Sequence, residues 1–368
     1  MFRVFRLEDG GFAQMKVLLL SYLADRHSGL YIAESLRDLK HKCTAIDIRQ
    51  IVFHMGTGPA QAKILEEVDN IEETPELIIV CKGLEMTYNT IKTIKDKFPG
   101  VPIVNWFFDW YLSGIPIWDN ESYADTLNLY DHYFCSVKGV ADNLRAVGFK
   151  QAKYLDQGCQ PNYNGETFLN YYQEEQYGSD VSFAGSLGYF KIHPQRLQYL
   201  QRVIDAGFDI KIWGDVVGAP GADPAAKWRR IPFGIRAVHT QNKVINDAHS
   251  KVCQASKINL GIDSNILLDH GWSVRLFKVL CAGGLYLTNN TKGLSDFFNI
   301  NKEGEPITFE QDLAVYYNEE DLIDKIDFLL EHDFIRERIA KNGQRKVLEK
   351  HKYLDRVKEM LKVIKNEN

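Results

Sequence analysis

Little in this sequence points to a membrane, a disulfide framework or a metal cage. Its six cysteines, Cys43, Cys81, Cys135, Cys159, Cys253 and Cys281, are scattered, with no close pair and no metal-ligand spacing. Several fall in apolar runs of strand length, where free thiols are ordinarily buried, so a reducing compartment is expected. Long hydrophobic runs are missing too: none exceeds strand length and the N-terminus has no signal-peptide core. A cytoplasmic protein is therefore expected, or one of the host cytoplasm if a phage encodes it. Positive charge is also in deficit. The formal net charge of −5 argues against a protein wrapped in nucleic acid, while permitting a local basic groove. No short internal repeat or low-complexity tract is present.

What is present is globular. With 368 residues the chain exceeds the size at which single cores stop growing, so two domains are expected. Residues 1–14 read as an appendage, because the first strong strand is Lys16 to Ser21. Strand-like runs then lie at 43–48, 76–81, 101–106, 131–136 and 151–155, with helix-period segments at about 29–40, 59–70, 87–98 and 138–147. Such alternation implies a mostly parallel sheet covered on both faces. The rhythm breaks over 157–178, a stretch rich in Asn, Tyr, Gln and Gly that reads as a linker. It restarts with strands at 180–184, 209–213, 256–261, 284–288 and 313–316, and helices at 193–206, 272–281 and 319–330. Two further helical segments, separated near Gly343 and His351, occupy 332–364. The expected architecture is α/β, with two doubly wound Rossmann-like domains facing across a cleft and a helical C-terminal tail. Its boundaries are 15–160, a linker at 161–178, 179–345, and a tail at 346–368.

The most informative stretch runs from Trp272 to Thr288. It reads as an amphipathic helix ending on Gly283-Gly284 and feeding an apolar strand. Arg275 and Lys278, three apart, share a face near the helix start, where two cations and free N–H groups suit a diphosphate. Solvated basic residues on an ordinary helix are the competing reading. The second domain opens with Val181-Ser-Phe-Ala-Gly185-Ser186-Leu-Gly188, a strand end whose N–H groups could meet an anion. Its glycine spacing is not the dinucleotide fingerprint, and no Gly-Lys-Ser/Thr follows. Arg196 points a cation at the same place or lies in solvent. Trp213-Gly214, at another strand end, frames a nucleotide base or plugs the core. From Lys227 to Lys251 lies a basic-aromatic stretch with Arg229, Arg230 and Arg236, able to contact phosphate or an acceptor, or else a solvated surface loop. In the first domain, Asp25 and His27 follow strand one and could act as a general base toward an acceptor hydroxyl, although Asp25 or Ser28 could equally cap the helix. Asp109, within Trp106-Phe-Phe-Asp109-Trp110, is a second candidate base if buried without a partner, and Glu85 a weaker third.

Assembled in order, these pieces resemble the CgeB/YkvP-type group of GT-B glycosyltransferases. The matching elements are Val181 to Ser186 with Arg196, Ile212-Trp213-Gly214, Ser256 to Leu260, Arg275-Leu-Phe277-Lys278 with Ala282-Gly283-Gly284, and Gly293-Leu-x-x-Phe297. Tyr316-Tyr317 to Asp321-Leu322, Arg336 to Gly343, and the tail His351-Lys-Tyr353-x-x-Arg356 complete the set. The resemblance covers about 180–362 well and the first domain more loosely.

It implies a transferase that binds a nucleotide-sugar on the C-terminal domain, a UDP-sugar foremost, and the acceptor on the N-terminal one, with the tail at 346–368 returning to the first domain. No bound cofactor or metal is implied, in keeping with the lack of an Asp-x-Asp motif in a suitable loop. The expected activity is a metal-independent hexosyl or pentosyl transfer to an acceptor hydroxyl. Acceptor readings extend from surface glycan or protein to a hydroxymethylated base in the DNA of a phage. One departure stands out. Related enzymes commonly carry a ribose-binding Glu where this chain has Lys278, and often an acidic residue where it has His270. Lysine cannot accept the ribose O–H bonds that a carboxylate accepts. The alternative reading is therefore a catalytically silent nucleotide- or sugar-binding module.

Overall fold

The computed structural model describes residues 14–24, 27–109, 125–188, 193, 195–216, 224–264 and 267–366. Asp25 and residues 1–13 lie outside that range. The chain divides into two compact units, one up to Gln157 plus the segment from Tyr353 onward, the other from Gly158 to Lys352.

In the first unit six strands, β1 (Lys16–Ser21), β2 (Lys42–Asp47), β3 (Leu77–Cys81), β4 (Ile103–Phe107), β5 (His132–Cys135) and β6 (Ala152–Tyr154), form one parallel sheet in the order β2-β1-β3-β4-β5-β6. β3 and β4 are buried along their whole length, as continuous apolar strands covered on both faces must be. The winding direction reverses between β1 and β3, the switch point where α/β sheets bind ligands. Gly29, opening the helix Ser28–Asp38, allows that helix to seat against the end of β1: a Cβ there would lie 2.1 Å from Ser21 Oγ. The helix Tyr353–Asn366 packs beside Ser28–Asp38. Its buried stripe is Tyr353, Val357, Met360, Leu361 and Ile364, the helical period. Burying five such side chains contributes on the order of 10 kcal/mol gross. Tyr353 Oη lies 2.7 Å from Ser28 Oγ, and Arg356 Nε donates to the Gln157 carbonyl at 3.0 Å.

The second unit winds its own parallel sheet from β7 (Val181–Ala184), β8 (Ile210–Trp213), β9 (Ile258–Gly261), β10 (Tyr286–Asn289) and β11 (Ala314–Tyr316), in the order β11-β10-β9-β7-β8. This is the winding of the first unit without a sixth strand. Val181, Phe183, Ile212, Leu260, Leu287 and Tyr316 form its core with Leu200 and Val203 from the helix Arg196–Asp205 and Leu322, Ile326 and Leu329 from Glu319–Glu331.

Three local expectations are corrected. The stretch read as a linker holds two helices, Pro161–Asn164 and Tyr171–Tyr177, the second closed by a reciprocal capping box between Asn170 and Gln173. The basic stretch is not a loop but carries the helices Pro224–Arg230 and Phe233–Val238. Gly343 does not break the tail: Asp333–Lys350 is continuous, and a Cβ at Gly343 would lie 2.2 Å from the Asp312 carbonyl. That glycine serves close packing. Among the described residues, no helix is long and apolar enough to cross a membrane, and no group of three or more His, Cys, Asp or Glu could hold a metal ion.

Candidate functional site

At the switch point of the second sheet, the turns after β7 and β8 are pressed together by glycine. Gly185 N donates to the Trp213 carbonyl at 2.9 Å, extending the parallel ladder beyond the strands. Gly214 sits at φ +135°, and a Cβ there would lie 2.4 Å from the Gly185 carbonyl oxygen. A Cβ on Gly185 would in turn lie 2.7 Å from Arg275 Nη2. Both glycines are thus dictated by backbone proximity and by the approach of a guanidinium.

Two arginines flank the ring of Phe183, with guanidinium carbons 5.3 Å (Arg196) and 5.0 Å (Arg275) from its centroid. Their roles differ. Arg196 is 4% exposed and acts as a tie: Nη1 donates to the Ser186 carbonyl at 2.6 Å and Nη2 to the Ile262 carbonyl at 3.2 Å, while its buried Nε meets no acceptor among the described residues. Burial, and then Arg275, push its pKa down to about 9. Arg275 is less enclosed, and its buried Nη1 has no hydrogen-bond acceptor among the described residues. A charged donor left in this state costs free energy that an anion would recover.

The titratable groups around the two arginines respond to them and to burial. Asp263 is the one carboxylate beside the two arginines among the described residues, and burial raises its pKa against the opposing pull of Arg275, the Ser273 N–H and Arg196. His193, its Nδ1 2.5 Å from Ser264 Oγ, is held neutral with a pKa near 3 by burial, then Arg196 and Arg275. His249 is likewise pushed down to about 3, by burial and then by Lys278 and Arg275. Among the described residues the two guanidiniums therefore stand beside the Asp263 carboxyl and two neutral imidazoles.

The helix that carries Arg275 and Lys278 is shorter than expected, Arg275–Cys281. Its opening N–H groups are not free: Arg275 N donates to Ser273 Oγ at 3.3 Å and Leu276 N to the Ser273 carbonyl at 3.1 Å. Gly283-Gly284 lies at the far end of this helix, before β10, and so at the opposite edge of the sheet. These glycines shape the return turn. Gly283 stands at φ +81°, and a Cβ on Gly284 would lie 2.7 Å from Asn259 Nδ2. Trp213 is also corrected. At 3% exposure, with its ring 5.7 Å from Tyr177, it belongs to the core and offers no face to a base. His270 is buried, with Nε2 2.9 Å from Asp296 Oδ2 and its ring against Trp272 and Phe297.

In the first unit, Asp109 follows β4, and its Oδ2 lies 2.6 Å from Lys82 Nζ after β3. Its expected isolation is not found: the carboxylate is paired and its side chain 22% exposed. The pair is held from behind. The Asn105 amide donates to the Lys82 carbonyl at 2.9 Å, while Ser136 Oγ donates to the Phe108 carbonyl at 2.9 Å. Lys82 adopts φ +59°, a conformation that costs about 1–2 kcal/mol for a side chain with a Cβ and is found where position matters. His27 precedes the helix Ser28–Asp38, its ring 3.9 Å from that of Tyr22, with the Arg49 guanidinium 5.1 Å from the other ring partner. Sequence reasoning missed Lys82 and Asp263. Lys-Gly after an apolar strand and Asp-Ser after another were the available signals.

With this geometry established, comparison with known proteins places it in a class. Residues 195–362 match a family model described as glycosyl transferase-like. No curated protein matches the chain. Among solved structures, a sucrose-phosphate synthase from Thermosynechococcus elongatus is 11% identical, with 96% of this chain and 99% of that one covered at a TM-score of 0.65. Anabaena Alr3699/HepE, solved with UDP-glucose, is 11% identical over 96% of this chain and 100% of its own, TM-score 0.62. An alpha-glucosyltransferase, solved with UDP-glucose and DNA containing an abasic site, is 11% identical over 96% and 100%, TM-score 0.63. The fold is α/β of the GT-B class, with two parallel sheets and a C-terminal helix.

Proposed function

We propose that this protein is a glycosyltransferase that moves a sugar from a nucleotide-sugar, a UDP-sugar foremost, to an acceptor hydroxyl. The observation that carries the reading is Arg275, a cation laid on Gly185 whose buried Nη1 has no hydrogen-bond partner among the described residues. In the reaction the bond from the sugar's anomeric carbon to the diphosphate oxygen breaks, and a bond to the acceptor oxygen forms. Arg275 and Lys278 stabilise the charge that grows on the leaving diphosphate, so the transfer is metal-independent. Arg196 holds the Gly185-Ser186 turn in place rather than contacting the donor. The acceptor proton passes to Asp109, whose pairing with Lys82 orients its carboxylate, with His27 and Asp25 as the other candidate bases.

The finer readings belong to the same proposal: kinship with the CgeB/YkvP group, a hexosyl or pentosyl donor, a cytoplasmic setting, and an acceptor that includes a hydroxymethylated DNA base. UDP release from UDP-sugars, measured with and without candidate acceptors, tests it. Acceptor-stimulated release abolished by Arg275→Ala supports transfer, and no release with any donor contradicts it. A second reading, a silent binding module, draws on His270, which is sequestered against Asp296 where an acidic residue is often found. Donor binding without release is its signature.

A further inference from the structure

The second unit exposes two aromatic surfaces of opposite character. Phe168, Tyr171 and Tyr172 are 82%, 73% and 79% exposed on a segment, Gly165 to Gly178, that contains Glu166, Glu174 and Glu175 and no Lys or Arg. Phe233 is 79% exposed at the start of the helix Phe233–Val238, within a run from Pro224 to Asn246 that holds five Lys or Arg and no carboxylate. In a chain of net charge −5 this run is a local reversal of sign. Its backbone is firmly seated. Ile231 and Ile235 are 1% and 0% exposed in the core, and Trp228 packs beside them with its ring 5.3 Å from His239. The anchored faces leave Arg229, Arg230 and Phe233 outward, and the Arg236 guanidinium carbon lies 6.0 Å from the Phe233 centroid. Lys243 is taken by Asp215 at 2.5 Å and is not part of the surface.

We propose that Arg229, Arg230, Phe233 and Arg236 form a docking surface for a nucleic-acid strand with an unpaired base. Three guanidiniums suit successive phosphates, and an exposed phenyl ring with a cation on its face suits a stacked base. Charge complementarity selects the partner. The Phe168–Tyr172 surface, equally aromatic but acidic, lacks the cations that phosphates require. The proposal goes beyond the transfer reading, because binding here is measured without donor or turnover and stands or falls separately from it.

The test is fluorescence anisotropy of the intact protein with a labelled twelve-nucleotide oligothymidylate, the matching duplex, and unlabelled polyphosphate as competitor. Three phosphate contacts predict that raising salt from about 50 to about 200 mM weakens single-strand binding about twentyfold. Arg229→Ala with Arg230→Ala lowers the salt slope by about 1.4. Phe233→Ala costs about tenfold, Phe233→Trp retains binding, and Phe168→Ala changes nothing. Unchanged melting of each variant shows that the fold is intact. Affinity indifferent to these substitutions overturns the proposal. So does equal binding of polyphosphate and oligothymidylate with no effect of Phe233→Ala, which marks a general polyanion surface.

Discussion

In both sheets the third and fourth strands of the winding, β3 with β4 and β9 with β10, end side by side, joined by two side chains in the first unit and by one side chain and the opposite backbone in the second. In the first unit the joint is ionic, Lys82 to Asp109 at 2.6 Å, with Arg49 and Glu85 3.9 Å apart nearby. In the second it is a neutral amide clasp: Asp263 N donates to Asn289 Oδ1 at 2.8 Å, and Asn289 Nδ2 donates to the Asp263 carbonyl at 2.7 Å. The consequence is a division of charge. In the first unit Lys82 is matched by the Asp109 carboxylate and Arg49 lies beside Glu85. In the second, Arg196 and Arg275 stand beside Asp263 among the described residues, with His193 and His249 held neutral. One winding therefore carries two chemistries, decided by a few side chains at strand ends.

Removing the Arg275 guanidinium should have the largest effect. Arg275→Ala is expected to lower turnover about a thousandfold with unchanged melting, measured by UDP release, since a preorganised charge on the leaving group is lost. Asp109→Asn is expected to lower turnover about a hundredfold while leaving UDP binding intact, which separates the two edges. Lys82→Met should change the pH profile of turnover rather than donor binding, because Lys82 acts through Asp109. Gly185→Ala is subtler. Its Cβ would lie 2.7 Å from Arg275 Nη2, so the guanidinium must move, and UDP affinity should fall about tenfold.

Away from activity, acid should lower stability. His193 and His249 have folded pKa values near 3 against 6.5 unfolded, so the unfolded chain binds more protons between those limits. Their contribution is full above pH 6.5 and fades as pH falls toward 3, by up to about 1.4 kcal/mol per pH unit for each histidine. His193→Asn should flatten the decline in Tm between pH 6.5 and 4.

The strand ends show why some of this was legible in the sequence. β3 and β10 were visible as apolar runs, and Arg275 stood out because a cation opens the helix after such a run. The two sheets follow from hydrophobic period, whereas the returning tail was an expectation of the family resemblance. What escaped was set by contacts distant in sequence. Nothing local marks Trp213 as core rather than ligand face, because Tyr177, against which it packs, lies 36 residues earlier. Gly343 looked like a helix stop because its reason, the Asp312 carbonyl, belongs to another segment. Lys82 was missed because its positive φ follows from Asn105 on the neighbouring strand. Gly283-Gly284 drew attention by composition, yet parallel topology places a turn before β10 at the edge away from the site.

The central claim is that the carboxyl edge of the second sheet is the diphosphate site. Calorimetric titration of UDP into the wild-type protein, Arg275→Ala and Asp109→Asn tests it most directly. The account predicts that UDP binds wild type and Asp109→Asn alike and Arg275→Ala at least tenfold more weakly, with all three equally folded. Equal affinity for wild type and Arg275→Ala, or affinity lost in Asp109→Asn alone, would contradict it.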